Sequence, residues 1–96
     1  MQIVLNKDYG GFSLSELAKN MLKELSPRDP SMYSYEEYRD SDYLVEVVKQ
    51  LGEHACGKWA NLEVVEIPDE TTDWIINDYD GYETLYYVVY GKIHTI

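Results

Sequence analysis

The stretch WIINDYDGYETLYYVVY, residues 74–90, decides the fold. Two runs rich in apolar and aromatic residues, 74–79 and 82–90, flank the dipeptide Asp80-Gly81. A type I′ turn needs positive φ at both central positions, and Asp and Gly tolerate that conformation better than most residues. The pattern therefore predicts a C-terminal β-hairpin.

Further strands are predicted on both sides of the centre of the chain. Residues 2–5 are short, apolar and β-branched, and 62–67 form a similar run that Pro68 ends. The alternation of Tyr33 and Tyr35 predicts a short edge strand between the helical segments.

The first helix is predicted over residues 14–25, where apolar residues recur at steps of three and four. Ser13 followed by Glu16 has the spacing of a capping box, which would satisfy the first backbone donors of this helix. The dipeptide Ser26-Pro27 ends the pattern, since proline cannot continue a helix.

A second helix is predicted from apolar residues between 44 and 51, with Ser41 or Asp40 as its N-cap. It ends either at Gly52 or, if it continues, at Gly57. Together these elements predict a single acidic α+β domain over residues 1–96, with two helices packed on a small mixed or antiparallel sheet that includes the hairpin.

Charge is the strongest signal in the composition. Asp and Glu number 18 against 8 Lys and Arg, which gives a formal net charge of −10. Binding to duplex nucleic acid depends on cations that neutralise phosphates, and anionic membranes attract the same cations. We therefore expect neither direct nucleic-acid binding nor membrane binding.

The sequence also predicts a location and a redox environment. It contains no apolar run near the length of a membrane span, and residues 1–11 lack the features of a signal peptide. Cys56 is the only cysteine, so no intramolecular disulfide can form. These observations favour the cytoplasm, with Cys56 as a small core residue.

Three segments resemble a known family. They read IVLNKDYGGFSLS at 3–15, NLEVVEIPD at 61–69 and WIINDYDGYE at 74–83, and they are similar to small uncharacterised proteins encoded by bacteriophages and prophages. The resemblance covers roughly two-thirds of the chain, while residues 91–96 match the charged, His-containing end of that family only loosely. It implies a phage accessory protein in the host cytoplasm and names no activity.

An acidic, tyrosine-rich surface is the main functional prediction. No Lys or Arg occurs between Trp59 and Tyr90, and Glu83 belongs to the acids of this segment. Tyrosine gives binding surfaces a large contact area and a hydroxyl group at low entropic cost. The predicted partner-binding residues are the acids Glu63, Glu66, Asp69, Glu70, Asp73, Asp78 and Asp80, with Trp74, Tyr79 and Tyr82 as aromatic anchors.

The preferred hypothesis is a non-enzymatic phage accessory protein that binds and inhibits a basic host protein. Its carboxylates would occupy positions at which that protein normally binds phosphates. A surface that only keeps the protein soluble would show the same composition. The Tyr-rich hairpin also allows homo-oligomerisation by burial of one of its faces.

The alternative is a small-ligand binder that sequesters a nucleotide-type signal. Gly10 and Gly11 let backbone N–H groups approach an anion, and Lys7 and the helix start at Ser13 add positive potential. The segment matches neither a dinucleotide fingerprint nor a P-loop.

Catalytic and metal-binding residues are not predicted. His54 and Cys56 lie close in sequence, but a structural zinc site needs about four ligands and the only other histidine is His94. A Cys56–His94 catalytic pair has no local feature that would activate the thiol. We therefore expect no enzymatic activity, no cofactor and no metal.

Overall fold

The computed structural model describes residues 1–26 and 38–96; the predicted strand at Tyr33 and Tyr35 lies outside these ranges. In chain order the elements are β1 (Gln2–Asn6), α1 (Glu16–Leu25), α2 (Asp42–Leu51), a 3₁₀ turn (Gly52–Ala55), β2 (Leu62–Glu66), β3 (Thr71–Tyr79), β4 (Tyr82–Val89) and β5 (Lys92–Thr95). Within the described ranges, no helix is long and apolar enough to cross a membrane.

Helix α1 begins two residues later than the capping box predicts. Its N-cap is Ser15, whose Oγ accepts a hydrogen bond from the backbone N–H of Ala18 at 3.1 Å. Ser13 instead pairs with another loop, because its carbonyl oxygen accepts a hydrogen bond from the N–H of Gly57 at 2.9 Å. The prediction of Ser13 as the cap is therefore wrong, since residues before Ser15 pair with the chain around Cys56.

Helix α2 has Ser41, one of its two predicted N-caps, and its α-helical part ends at the first of the two predicted positions. Ser41 is the N-cap, with its Oγ 3.5 Å from the N–H of Leu44. The α-helix ends at Leu51, and Gly52 has a positive φ of 57°. The chain then continues as a 3₁₀ turn to Ala55, so helical backbone extends beyond Gly52 in a tighter form.

The fold is α+β, as predicted, with strands in two antiparallel sheets. One sheet contains β1 and β2, and the other has the order β3-β4-β5. The hairpin of β3 and β4 is confirmed, with positive φ at both Asp80 and Gly81. Strand β5 was not predicted; a second turn of the same character, at Tyr90 and Gly91, leads into it.

The two-stranded sheet forms the central layer of the molecule. On one face, Val4 packs in a core with the apolar residues of α1 and α2. On the other face, Ile3 and Leu5 pack with Leu85 of the three-stranded sheet. Because strand side chains alternate between faces, β1 contributes to both cores, and four of its five residues are buried.

A buried ion pair lies along the edge of β1. The guanidinium of Arg39 donates to both carboxylate oxygens of Glu83, at 2.6 and 2.8 Å, and both side chains are almost fully buried. The carbonyl of Arg39 accepts the N–H of Val4, and Glu83 accepts the N–H of Asn6 at 2.7 Å. Glu83 therefore accepts one backbone N–H and the Arg39 guanidinium inside the protein and does not contribute to the predicted acidic surface.

Candidate functional site

Three segments that are distant in sequence meet at the turn between β3 and β4. Gly81 lies directly against the first loop, where a Cβ atom on Gly81 would overlap the backbone nitrogen of Gly11 and lie 2.5 Å from the carbonyl oxygen of Tyr9. The side-chain amide of Asn6 strengthens this contact by donating to the carbonyl oxygen of Gly81 at 2.7 Å. The two turns are thus fixed against each other.

The third segment is the loop that carries Trp59. A Cβ atom on Gly10 would overlap the Cβ and carbonyl oxygen of Trp59, so only glycine fits at position 10. Trp59 itself has a φ of 68°, a conformation that is uncommon for a bulky residue and persists only where the surroundings impose it. Close backbone contact therefore holds this loop beside the other two.

Large aromatic side chains project from these segments into solvent. Tyr9 is 64% exposed, Trp59 69% and Tyr79 71%, and the partly buried ring of Tyr82 lies 5.3 Å from the ring of Tyr9. We call these four residues the turn-end aromatic cluster. Side chains of this type dominate the energetics of many protein interfaces, so their joint exposure on loops fixed by close contact is a feature of a binding surface.

Carboxylates surround the turn-end aromatic cluster. Asp8 accepts the N–H of Tyr9 at 2.7 Å, and Asp78 accepts the N–H of Gly81 at 2.8 Å, so both acids also hold their turns in shape. Asp80 is exposed at the tip of the hairpin. Each of these bonds uses one carboxylate oxygen, which leaves the other available to a donor from outside.

Two lysines already lie over rings of the cluster. Lys7 Nζ is 5.0 Å from the centre of the Tyr82 ring, and Lys58 Nζ is 5.4 Å from that of Trp59. These are distances at which a cation is attracted to the face of an aromatic ring. The protein's own lysines thus already occupy one face of each of these two rings.

The residues of the predicted ligand site do not form an open anion pocket. Lys7 Nζ donates to the carbonyl oxygens of Glu83 and Ile96, at 2.7 and 3.2 Å, and Gly10 and Gly11 belong to the packed turns. Ser13 Oγ lies 3.4 Å from the carbonyl oxygen of Lys58, away from the start of α1. The segment does lie at the turn end, next to Asp78 and Asp80 of the predicted acidic surface.

All seven predicted surface acids are exposed, but β3 divides them into two groups. A nine-residue strand is roughly 25–30 Å long, so its two ends are separate surfaces. Asp78 and Asp80 lie at the turn end, whereas Glu66, Asp69, Glu70 and Asp73 lie at or near the connection from β2 to β3. Glu63 pairs with Leu5, towards the end of β1 that contacts Gly81.

The group at the β2–β3 connection is partly neutralised within the protein. The N-terminal ammonium of Met1 lies 2.8 Å from Asp69 and 3.4 Å from Glu66. Its hydrogen bond to Asp69 holds the pKa of that carboxyl below the usual 3.8, and the same bond raises the pKa of the ammonium above 8.0. At the turn end no ion pair to Asp78 or Asp80 occurs among the described residues, and the nearby cations are Lys7 and Lys58, which lie over aromatic rings.

The aromatic anchors differ in their availability. Tyr79 is fully accessible at the turn end and Tyr82 is partly so, but Trp74 is half-buried and packs against the core between the sheets. Sequence reasoning missed Tyr9, Trp59 and Asp8, because only the fold brings residues 8–11 and 59 to the hairpin turn. The one local feature that could have indicated part of this site is Tyr9 next to the turn residues Gly10 and Gly11.

The residues considered for catalysis or metal binding are separated. Cys56 packs beside the helices and its Sγ accepts the N–H of Leu62 at 3.3 Å, whereas His94 stacks on Tyr87 in the other sheet, with ring centres 5.2 Å apart. In residues 1–26 and 38–96, no three His, Cys, Asp or Glu side chains are arranged to hold a metal ion. Comparison of the chain with protein-family models, curated proteins and solved structures yields no match.

Proposed function

We propose that this protein is a non-enzymatic binding protein that captures a basic partner protein through the turn-end aromatic cluster and its surrounding carboxylates. The observation that carries the proposal is the exposure of Tyr9, Trp59 and Tyr79 on loops that glycine contacts hold together. Because the loops are fixed before binding, little conformational entropy is lost when a partner docks.

The chemistry of the cluster selects a partner with exposed Arg or Lys side chains. Asp8, Asp78 and Asp80 accept charge-assisted hydrogen bonds, and the rings accept cations on their faces. The net charge of −10 adds long-range attraction that speeds encounter with a basic surface and weakens as salt increases. The same charge repels nucleic acids and other acidic proteins.

The biological setting we propose follows the resemblance to phage-encoded proteins. The partner would be a host defence or nucleic-acid-handling protein whose phosphate-binding groove is blocked by these carboxylates. Inhibition then needs only occupancy of the groove, so no catalytic residue of this chain is required.

The test is a pull-down from bacterial lysate with the wild-type protein and two triple variants as baits, washed over a salt series and analysed by mass spectrometry. The site variant is Tyr9→Ser, Tyr79→Ser and Asp80→Asn. The matched control changes three exposed residues of the helical layer in the same way: Leu17→Ser, Tyr43→Ser and Glu24→Gln.

We expect a basic protein to be retained by the wild type and by the control, to be lost from the site variant, and to elute as salt rises. Asn tolerates positive φ at position 80, so the turn should survive the substitution. Equal retention by both variants would place binding elsewhere on the surface. Failure of the wild type to retain any salt-sensitive basic protein would refute the proposed function.

A further inference from the structure

The outer face of the three-stranded sheet carries an exposed apolar patch. Cross-strand pairing places Ile75 beside Tyr86 and Val88 beside Ile93, in two adjacent rows. Ile75 is 61% exposed and Ile93 is 73% exposed, and a shallow groove of about 140 Å³ runs between these side chains. We call these four residues the outer-face patch.

The outer-face patch has few acidic neighbours. The 13 residues from Thr84 to Ile96 include no Asp or Glu side chain. Asp73 is the one carboxylate that lines the groove. At a net charge of −10, two copies of this protein repel each other wherever their acidic surfaces meet, so this face is where they approach at least electrostatic cost.

We infer that the outer-face patch is a self-association surface, on which a second copy of this chain packs face to face across a two-fold axis. An isologous contact places the same apolar rows opposite each other, and packed sheets lie about 10 Å apart with interdigitated side chains. A basic partner is a poorer occupant, because the patch offers it little negative charge, with Asp73 as the one carboxylate at the groove.

The outer-face patch consists of only four residues, and stable interfaces bury roughly 1,200 Å² or more, so we expect the dimer to be weak and concentration-dependent. Its salt response separates it from the proposed function. Salt screens the repulsion between two acidic copies and strengthens the dimer, whereas it weakens the capture of a basic partner.

The test is sedimentation equilibrium of the full chain over a range from about 5 to 500 μM protein, at about 50 and 500 mM NaCl. The test variant is Ile75→Thr with Ile93→Thr, since threonine keeps the β-branched shape that strands favour and removes only apolar surface. Leu17→Gln, at a residue 55% exposed on α1, is the control. Circular dichroism confirms that each variant is folded.

For the wild type and the control, we expect the average mass to rise from one chain towards two with concentration, and to rise further at high salt. The double variant should remain at the mass of one chain throughout. The inference is overturned if the wild type stays monomeric under all conditions. The patch would then have a different occupant. A folded double variant that associates as strongly as the wild type also overturns the inference.

Discussion

The Arg39–Glu83 ion pair does two things at once. It pairs two buried charges, and it provides hydrogen-bond partners for β1 on the side that β2 does not cover: Glu83 accepts the N–H of Asn6 and Arg39 Nη1 donates to the carbonyl of Val4 at 3.2 Å. The Phe12 ring, 3.7 Å from the guanidinium carbon, covers the pair. A buried backbone group without a partner is costly, so this arrangement protects an edge that would otherwise be incomplete.

Replacing Glu83 with Ala should destabilise the protein by about 3–5 kcal/mol, because it leaves a buried guanidinium uncompensated. Urea denaturation followed by circular dichroism measures the loss. Glu63→Ala, at an exposed acid, is the control and should change stability by no more than about 0.5 kcal/mol. If the Ala variant does not fold, Glu83→Gln, which keeps an acceptor for Asn6, should fold with reduced stability. Similar losses at positions 63 and 83 would contradict the structure.

The Met1–Asp69 contact predicts a dependence on pH. The pKa of Asp69 is lowered, so its contribution to stability is present above the unfolded value of 3.8 and is lost as pH falls through the folded value. The pKa of the ammonium is raised, so its contribution is present below 8.0 and is lost as pH rises through the folded value. The contact should therefore be strongest between these limits.

An NMR titration of the Asp69 carboxyl should give a midpoint below 3.8 in the folded protein. Acetylation of the N-terminal amine removes the positive charge and should move that midpoint upwards. A midpoint that acetylation leaves unchanged would show that the amine is not the cause. Both groups are solvent-exposed, so a small effect on overall stability is consistent with the contact.

At the scale of whole elements, the two hairpin turns look alike but have different surroundings. Gly81 and Gly91 both have positive φ, at 90° and 75°. An added Cβ at Gly91 meets nothing within 4 Å, whereas at Gly81 it meets the backbone of Tyr9 and Gly11. The turn of β3 and β4 is thus fixed to the rest of the protein, and the turn of β4 and β5 is not.

Alanine at these two glycines should therefore have unequal effects. Gly91→Ala should cost about 1–2 kcal/mol, the strain of a left-handed conformation with a Cβ. Gly81→Ala adds a backbone clash to the same strain, so its urea midpoint should fall further, and the turn-end aromatic cluster should lose its fixed arrangement. Equal losses at the two positions would mean that the loops are not in close contact.

At the scale of the whole molecule, sequence patterns predicted the secondary structure that is determined by residues close together in the chain. The helices, β1, β2 and the hairpin follow from periodicity and turn residues within short windows. The split into two sheets does not, because an apolar strand pattern shows that a strand is buried without showing which sheet it joins. Strand β5 was missed since Ile93 is the only apolar residue in a four-residue strand.

The candidate site was predicted only in part, for the same reason. Asp78, Tyr79, Asp80 and Tyr82 are consecutive or nearly so, and their composition is visible in the sequence. Tyr9 and Trp59 join them through backbone contacts across long stretches of chain, and composition also counted Glu83 as a surface acid. Whether a carboxylate faces solvent or a buried guanidinium depends on a pairing that no local pattern encodes.

The position of β1 has a consequence for synthesis on the ribosome. The carbonyl of Met1 accepts a hydrogen bond from Ile67, and Asn6 donates to Glu83, a residue 77 positions later. The first strand therefore emerges long before all the segments that enclose it, and Ile3 and Leu5 lack their core partners Ile67 and Leu85 until most of the chain has been translated. Folding that depends on such distant contacts is slow, typically milliseconds to seconds, so the nascent chain passes through an interval in which it is exposed to chaperones and proteases.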